Sequence, residues 1–179
     1  MPDRPVPPPT WRERLRRALR HVWQDERDAE RLLPPDVQQR LAEHVQACES
    51  RHGGEIRLCV EAGLPLLDAW RGVHARQRAI QAFTQLRVWD TEHNNGVLVY
   101  LLLADHAIEI VADRGLQRFV APHQWREILD LLSQSFQAGH HEEGLHQAID
   151  AVSALLFEHF PLGGGARRAN ELPDQPVLR

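Results

Sequence analysis

The chain has 179 residues, a net charge of −4 and 26% charged residues, which is ordinary for one soluble domain of about 150 residues with short irregular ends. This charge balance predicts neither nucleic acid nor a membrane as the partner. All 21 basic residues are arginine, so the sequence excludes enzymes that use lysine as a phosphate ligand, a Schiff base or a nucleophile.

We expect a cytoplasmic protein that does not itself span a membrane. Residues 1–10 have no apolar core of signal-peptide length, and no run reaches the ~18 apolar residues of a membrane span. Cys48 and Cys59 show no paired-ligand spacing, and Cys59 lies in an apolar run that is typical of a buried free thiol. This cysteine usage indicates a reducing compartment.

The first fifty residues predict a leader followed by two helices. Residues 1–10 are rich in proline, for which we predict disorder, and Thr10 is placed to cap the helix that follows. Helices over residues 11–33 and 36–50 are separated by a pair of prolines, and we predict that residues 11–50 form a helical hairpin. Apolar residues recur along the first helix at steps of three and four: Trp11, Leu15, Ala18, Leu19, Val22 and Trp23.

The remaining positions of this region are rich in arginine. Such a face suits an anionic membrane surface or nucleic acid, but interspersed acidic residues favour a solvated face with i,i+4 ion pairs. The helices are nevertheless the predicted contact surface for a partner. The arginines are Arg12, Arg16, Arg20, Arg27 and Arg31.

Residues 52–161 predict one α/β domain. Alternating apolar residues indicate a strand over Glu55–Glu61, and Val97–Ala104 is apolar at every position except Tyr100, which favours a central strand covered on both faces. We therefore predict an αβα sandwich with a small mixed sheet flanked by helices and preceded by the helical hairpin. Its other elements are a crossover helix over 73–86, a hairpin strand over 107–112 and helices over 123–138 and 141–160, with a disordered tail over 162–179.

Strand direction places several polar turns at one edge of this sheet. A helical crossover makes strand 55–61 parallel to strand 97–104, and the tight reversal makes strand 107–112 antiparallel to both. The turns before Gly96 and after Ala112 then lie close together, next to the Gly53-Gly54 turn. The residues expected at this edge are Asp90, Thr91, Glu92, Asn94, Asn95, Asp113 and Arg114.

Oxygen donors at such an edge suit Ca²⁺, Mg²⁺ or a small polar ligand. The candidate metal ligands are Asp90, Glu92 and Asp113, and the candidate ligand-binding residues are Asp90, Asn94, Asn95, Asp113 and Arg114. An EF-hand is excluded, because Asn95 and Leu101 stand where that loop needs glycine and glutamate. The alternative is that these are ordinary turn residues that hydrogen-bond their own backbone.

Three other patterns carry less weight. His140 to His146 resembles a zinc-protease helix, but Leu145 stands where the second histidine is needed. The glycine run at 163–165 follows a helix rather than a strand, which favours a flexible terminus over a phosphate loop. No serine lies in a Gly-x-Ser-x-Gly motif, so a serine hydrolase has little support.

Taken in order, several segments resemble the TPM domain family, which was formerly a domain of unknown function and includes thylakoid-lumen proteins linked to photosystem II repair. The resemblance covers about residues 52–161, and the chain looks like the short soluble bacterial branch. The segments are Glu55-Ile-Arg-Leu, Ala82-Phe83, Asn95-Gly-Val-Leu-Val-Tyr-Leu101, Glu109-Ile-Val-Ala-Asp-Arg-Gly115, Phe136-Gln-Ala-Gly139 with Gly144, and Phe160-Pro161.

The resemblance implies an αβα sandwich and, for some relatives, calcium binding or acid phosphatase activity. Two functions follow for this chain. The first is a non-enzymatic binding or assembly module, which we favour because no convincing nucleophile is present. Its expected partner is a protein, which can be membrane-associated, and not nucleic acid. The alternative is a Ca²⁺-binding protein or a metal-dependent phosphatase, with Asp90 and Asp113 as ligands and Arg114 steering phosphate.

Overall fold

A computed structural model describes residues 10–162 and 170–179, and its centre is a four-stranded mixed sheet. The strands lie in the order β3-β2-β1-β4, where β1 is Glu55–Glu61, β2 is Gly96–Leu102, β3 is Ala107–Ala112 and β4 is Val177–Leu178. β1 is parallel to β2 and β4, and β3 is antiparallel to β2. The predicted α/β class and the directions of the first three strands are confirmed.

Helices cover both faces of this sheet. The predicted first helix is two helices, since Asp25 caps a new one at Glu26. A short helix, α4, lies between the predicted strand 55–61 and the predicted crossover helix, where the sequence analysis placed no helix, whereas Thr10 caps α1 as predicted. The helices are α1 Trp11–Trp23, α2 Glu26–Leu32, α3 Pro35–Glu49, α4 Leu66–Arg71, α5 Ala75–Gln85, α6 Arg114–Gln117, α7 Pro122–Gln137 and α8 His141–His159.

The strands divide the interior into two apolar cores. Because side chains alternate along a strand, Leu58 and Val99 point to the layer of α2, α3, α7 and α8, whereas Leu98 and Tyr100 point to the layer of α1, α4 and α5. Every residue of β1 and β2 is buried between these layers, including the charged Glu55, Arg57 and Glu61 of β1. The molecule is therefore the αβα sandwich that the sequence predicts.

The predicted pairing of the N-terminal helices as a hairpin is wrong. α1 packs against α4 and α3 packs against α8, so the two helices lie on opposite faces of the sheet. The apolar side of α1 is largely exposed, with Trp11 at 64% and Trp23 at 83%, while Ala18 and His21 are buried. α1 thus docks through a mainly polar side.

Polar contacts to Asp105 explain this orientation of α1. The guanidinium of Arg17 donates to the Asp105 carboxylate with an Nη2–Oδ2 distance of 2.6 Å, and His21 Nε2 lies 3.2 Å from Oδ1. His21 Nδ1 accepts a hydrogen bond from Leu64 N at 3.0 Å, which places the ring proton on Nε2, facing Asp105. Burial favours a raised pKa of Asp105, but the hydrogen bonds from His21 and Arg17 and the positive charge of Arg17 outweigh it, so the pKa is lowered.

The predicted disordered tail is wrong for residues 170–179. β4 pairs with the open edge of β1, Ala62 N donates to the Arg179 carbonyl at 2.7 Å, and Leu172 is 8% exposed. The edge of β1 supplies unpaired backbone groups that a second strand satisfies, which no local sequence signal reveals. The predictions for residues 1–9 and for the glycine run at 163–165 concern residues outside those that the structure describes.

Candidate functional site

The two polar turns predicted to converge do meet at one edge of the sheet. The Arg114 guanidinium donates to Asn94 Oδ1 from Nη2 at 2.8 Å and from Nε at 3.1 Å. Gly115 N donates to the Asn94 carbonyl at 2.8 Å. The pairing of Glu55 with Gly96 and of Val97 with Ala112 brings the turns together, as strand direction predicts.

A third segment joins them through Asn95. Its side-chain Nδ2 donates to the Gly53 carbonyl at 2.8 Å, and its backbone N donates to Thr91 Oγ1 at 3.1 Å. Asn95 is fully buried. We call Asn94, Asn95, Asp113 and Arg114 the turn cluster.

Two glycines allow the close approach of these turns. A Cβ atom on Gly115 would overlap the carbonyl oxygens of His93 and Asn94, and a Cβ atom on Gly96 would overlap the Val88 carbonyl. Asn94 adopts a left-handed conformation with φ of 54°, which asparagine tolerates better than most residues. The Asn94-Asn95-Gly96 sequence therefore serves the geometry of the turn as well as its polarity.

Two oxygen atoms of the turn cluster are buried without a hydrogen-bond partner among the described residues: Asn95 Oδ1 and Asp113 Oδ2. Asp113 uses its other oxygen to cap α6, accepting from Arg114 N at 2.6 Å. A buried oxygen without a partner costs about 1–3 kcal/mol, so such atoms in a folded protein indicate a water, an ion or a ligand. Both atoms are hard oxygen donors.

The structure does not assemble Asp90, Glu92 and Asp113 as a group of carboxylates. Asp90 is exposed and lies 3.5 Å from Arg87, and the Glu92 backbone N donates to the Glu171 carboxylate at 2.9 Å. Only one group of three histidine, cysteine or acidic ligand atoms within 4.8 Å occurs in the described residues, and it lies elsewhere. A ligand role for Asp90 and Glu92 stays a prediction that the geometry does not favour.

A buried ion pair on the α5 side of the sheet escaped the sequence analysis. Arg78 Nη2 lies 2.6 Å from Glu61 Oε1, and the Tyr100 hydroxyl donates to Glu61 Oε2 at 2.6 Å. Burial, and then the negative charge of Glu61, raises the pKa of Tyr100 well above its usual range. Both Glu61 oxygens are engaged, so this group holds α5 on the sheet and offers no free base.

The group of three ligand atoms consists of His44, Cys48 and Asp150, which α3 and α8 bring together. Sequence reasoning missed it because Asp150 lies about a hundred positions from His44 and Cys48, beyond the span of any local metal motif. The available signal was the four-residue spacing of His44 to Cys48 and of His146 to Asp150, which puts each pair on one helix face.

A cleft of about 700 Å³ opens at the opposite end of the sheet from the turn cluster, where β2 ends. Leu101, Leu103, Ile108 and Phe136 line its apolar part. None of the predicted site residues borders it. The candidate sites at the sheet edge and between α3 and α8 are therefore separate from this cleft.

The mixed sheet between two helical layers, with polar turns gathered where β2 begins, defines an αβα-sandwich domain with a polar edge. The chain belongs to the TPM domain family, whose model matches residues 27–155. This match extends the resemblance found over residues 52–161 toward the N-terminus, to include α2 and α3. The family identified from the sequence is confirmed.

Solved structures show the same fold. The NMR structure of BA42 protein from the psychrophilic bacterium Bizionia argentinensis is 23% identical with a TM-score of 0.70, covering 81% of this chain and 94% of that one. The N-terminal domain of a protein from P. gingivalis is 22% identical with a TM-score of 0.57, covering 74% and 83%. At these identities the likeness establishes the fold alone.

A search of curated proteins found no significant match to this chain. Within residues 10–162 and 170–179, no helix combines the length and the apolar character that a bilayer span requires.

Proposed function

We propose that this TPM-domain protein is a non-enzymatic binding module whose turn cluster takes a hard divalent cation, Ca²⁺ or Mg²⁺. The observation that carries the proposal is the pair of buried, unpartnered oxygens, Asn95 Oδ1 and Asp113 Oδ2. They belong to turns that the fold holds together through the Arg114 to Asn94 hydrogen bonds. A cation would supply the partner that each oxygen lacks.

The chemistry of the cluster fits a weakly bound hard cation. Ca²⁺ and Mg²⁺ prefer carboxylate, amide and carbonyl oxygens, and water completes their coordination where protein ligands are few. Asn94 Oδ1 is a third oxygen of the cluster, now held by the exposed Arg114 side chain, which can turn away into solvent. With Asp113 as the single carboxylate, we expect a dissociation constant on the order of 10⁻⁴–10⁻³ M.

Calcium and magnesium titrations of the full chain, followed by amide NMR, test this proposal. We expect shifts clustered at residues 94–96 and 113–115, and Asp113→Asn should weaken the affinity at least about tenfold. Asp130→Asn is the matched control, because Asp130 is an exposed carboxylate of α7 outside the turn cluster. Absence of these shifts at millimolar metal, or equal affinity in Asp113→Asn, would contradict the proposal.

A metal-dependent phosphatase would use the same residues, with Arg114 holding the phosphate. p-Nitrophenyl phosphate turnover is therefore measured on the wild type and on Asp113→Ala in the presence of the bound cation. If turnover is present in the wild type and lost in Asp113→Ala, the protein is an enzyme and the proposal of a binding module is wrong. Turnover that does not depend on Asp113 leaves the turn cluster as a binding site.

The exposed apolar side of α1 favours a second role for the module, which is contact with a protein partner. Leu19 and Trp23 are 50% and 83% exposed, and contiguous exposed apolar surface of this kind usually marks an interaction site. Neighbouring Arg16 and Arg20 suit an acidic partner surface. Leu19→Ser with Trp23→Ser should abolish affinity capture of that partner from the native cell extract, and capture of the same proteins by both forms would contradict this role.

A further inference from the structure

α3 and α8 pack side by side and run in the same direction. Contacts between them join residues separated by a constant 102 positions, as in Arg40 to Glu142, Cys48 to Asp150 and Arg51 to Ser153. Residues four apart on each helix therefore face residues four apart on the other. At the centre of this interface, His44 and Cys48 of α3 face His146 and Asp150 of α8.

The ligand atoms of this interface are already spaced as the corners of a metal site. His44 Nε2 lies 2.9 Å from Asp150 Oδ1, Cys48 Sγ lies 3.7 Å from Asp150 Oδ1, and Cys48 Sγ lies 3.9 Å from His44 Nε2. Tetrahedral zinc with its usual bond lengths places such atoms about 3.3–3.6 Å apart. Each edge of the triangle is within about 0.4 Å of that geometry.

We propose that His44, Cys48 and Asp150, with His146 as the fourth donor, form a binding site for Zn²⁺ between α3 and α8. The mixture of one thiolate, two imidazoles and one carboxylate selects a borderline metal such as zinc over Ca²⁺ or Mg²⁺, which take oxygen ligands. This site is independent of the turn cluster and does not rest on the proposed function. The sequence separation of about 100 residues makes the ion a cross-link between two distant helices.

His146 can complete the coordination after its ring turns, because its nitrogens do not lie within 4.8 Å of all three other ligand atoms. Its ring centroid lies 4.5 Å from that of His44, with the ring planes at 80°, and it precedes Asp150 by one helical turn. The present partner of His146 is Glu142, at 3.7 Å, which Arg40 also holds.

Zinc binding would displace one proton and one neighbouring cation. The Cys48 thiol releases its proton to solvent as the Zn–S bond forms. Arg51 Nη2 lies 3.2 Å from Cys48 Sγ, but Arg51 is exposed and can move toward solvent. Asp150 is 57% exposed, which gives the ion a route to the buried sulfur.

Cobalt and zinc titrations of the full chain test the site. We expect one Co²⁺ to bind with a thiolate-to-cobalt charge-transfer absorption and tetrahedral visible bands, both removed by an equivalent of Zn²⁺. Amide NMR with Zn²⁺ should show shifts at residues 44–51 and 146–153. Cys48→Ser, His44→Gln and His146→Gln should each weaken zinc binding at least about tenfold, measured by calorimetry.

The matched control is Cys59→Ser, because Cys59 is fully buried on the other face of the sheet and should leave the cobalt spectrum unchanged. Asp113→Asn should also leave it unchanged, which separates this site from the turn cluster. A cobalt complex without a charge-transfer band, zinc shifts outside the two helices, or equal zinc affinity in Cys48→Ser would overturn the proposal. Equal affinity in His146→Gln would overturn the assignment of the fourth ligand.

Discussion

The Arg114 guanidinium donates a hydrogen bond from Nη2 to the side-chain Oδ1 of Asn94 at 2.8 Å, although the two residues are twenty positions apart in the sequence. This contact ties together the turns on either side of the β2-β3 hairpin. It also places a positive charge beside the oxygens that we assign to a divalent cation. Arg114 therefore holds the turn cluster in place and competes with its ligand.

Removing this charge should strengthen cation binding. We predict that Arg114→Gln raises the Ca²⁺ affinity about five- to thirtyfold, because a unit charge near a divalent ion is repelled by about 1–2 kcal/mol even in water. Calorimetric titration at low salt measures the change. Arg118→Gln is the control, since Arg118 follows α6 outside the turn cluster. Loss of binding in Arg114→Gln would show that the guanidinium holds the ligand instead.

Crowding at Gly115 should make the turn cluster sensitive to a single methyl group. We predict that Gly115→Ala lowers the free energy of unfolding by about 1–3 kcal/mol and weakens Ca²⁺ binding, because its Cβ would overlap two backbone carbonyls. Gly139→Ala is the comparison: Gly139 has φ of 81° and open space around it. Urea unfolding should show a loss in both variants, but calcium affinity should fall in Gly115→Ala alone.

The contacts of the Asp105 carboxylate with Arg17 and His21 of α1 predict that the stability of the fold depends on pH. Asp105→Asn should lower the free energy of unfolding at pH 7 by about 2–3 kcal/mol, the usual range for a charge-assisted hydrogen bond. Because folding lowers the pKa of Asp105, its contribution is complete above the unfolded pKa of about 4 and is lost as the pH falls through the folded value. The difference between wild type and variant should therefore shrink toward pH 2.

Urea unfolding at pH 7 and at pH 3 measures this difference. Asp90→Asn serves as the control, since Asp90 is 51% exposed and its nearest cation lies at 3.5 Å. Such a surface pair contributes about 0–1 kcal/mol. If the free energies of unfolding of wild type and Asp105→Asn differed by the same amount at both pH values, the prediction would be wrong, because the effect of the substitution would then not depend on the charge of the carboxylate.

Glu49 gives the opposite pH dependence. Burial, and then repulsion from Glu55, raises the pKa of Glu49 to about 9. A raised folded pKa means that the stabilisation from the protonated form is complete below about pH 4 and is lost as the pH rises toward 9. Glu49→Gln keeps the side-chain oxygen that accepts from Ile56 N at 2.7 Å but carries no charge.

We therefore predict that Glu49→Gln raises the free energy of unfolding at pH 8 by at least about 1 kcal/mol, with a smaller gain at pH 5. Urea unfolding at the two pH values measures both gains. Glu43→Gln on the same helix is the matched control, because Glu43 is exposed and bonded only to Gln39 in the described residues. Equal gains at both pH values would contradict a titration of Glu49.

The sequence correctly predicted the helices and strands that are specified by residues close together in the chain. β1 over Glu55–Glu61 and β3 over Ala107–Ala112 have the predicted bounds, and α7 and α8 differ from prediction by about one residue. These elements are specified by apolar periodicity and by flanking glycine and proline, which act within a few residues. The convergence of Asn94 with Asp113 followed from strand direction alone.

Features that depend on contacts between distant residues were missed or misread. The apolar spacing of α1 gave no sign that Arg17 and His21 would face inward, because their partner Asp105 lies more than eighty residues away. β4 has only two residues and exists because the edge of β1 accepts it. The exposure of Asp90, and its distance from Asp113, depend on the path of a turn that no periodicity describes.

The sequence by itself determined the family, the αβα layers and the gathering of polar turns at one end of the sheet, since these follow from periodicity and chain direction. Only the tertiary structure decided which oxygens are left without partners, which side of α1 meets solvent, and that His44 and Cys48 face Asp150. The physical reason is that hydrogen bonds and metal geometry act over about 3 Å, and positions distant in the chain reach that separation only through packing.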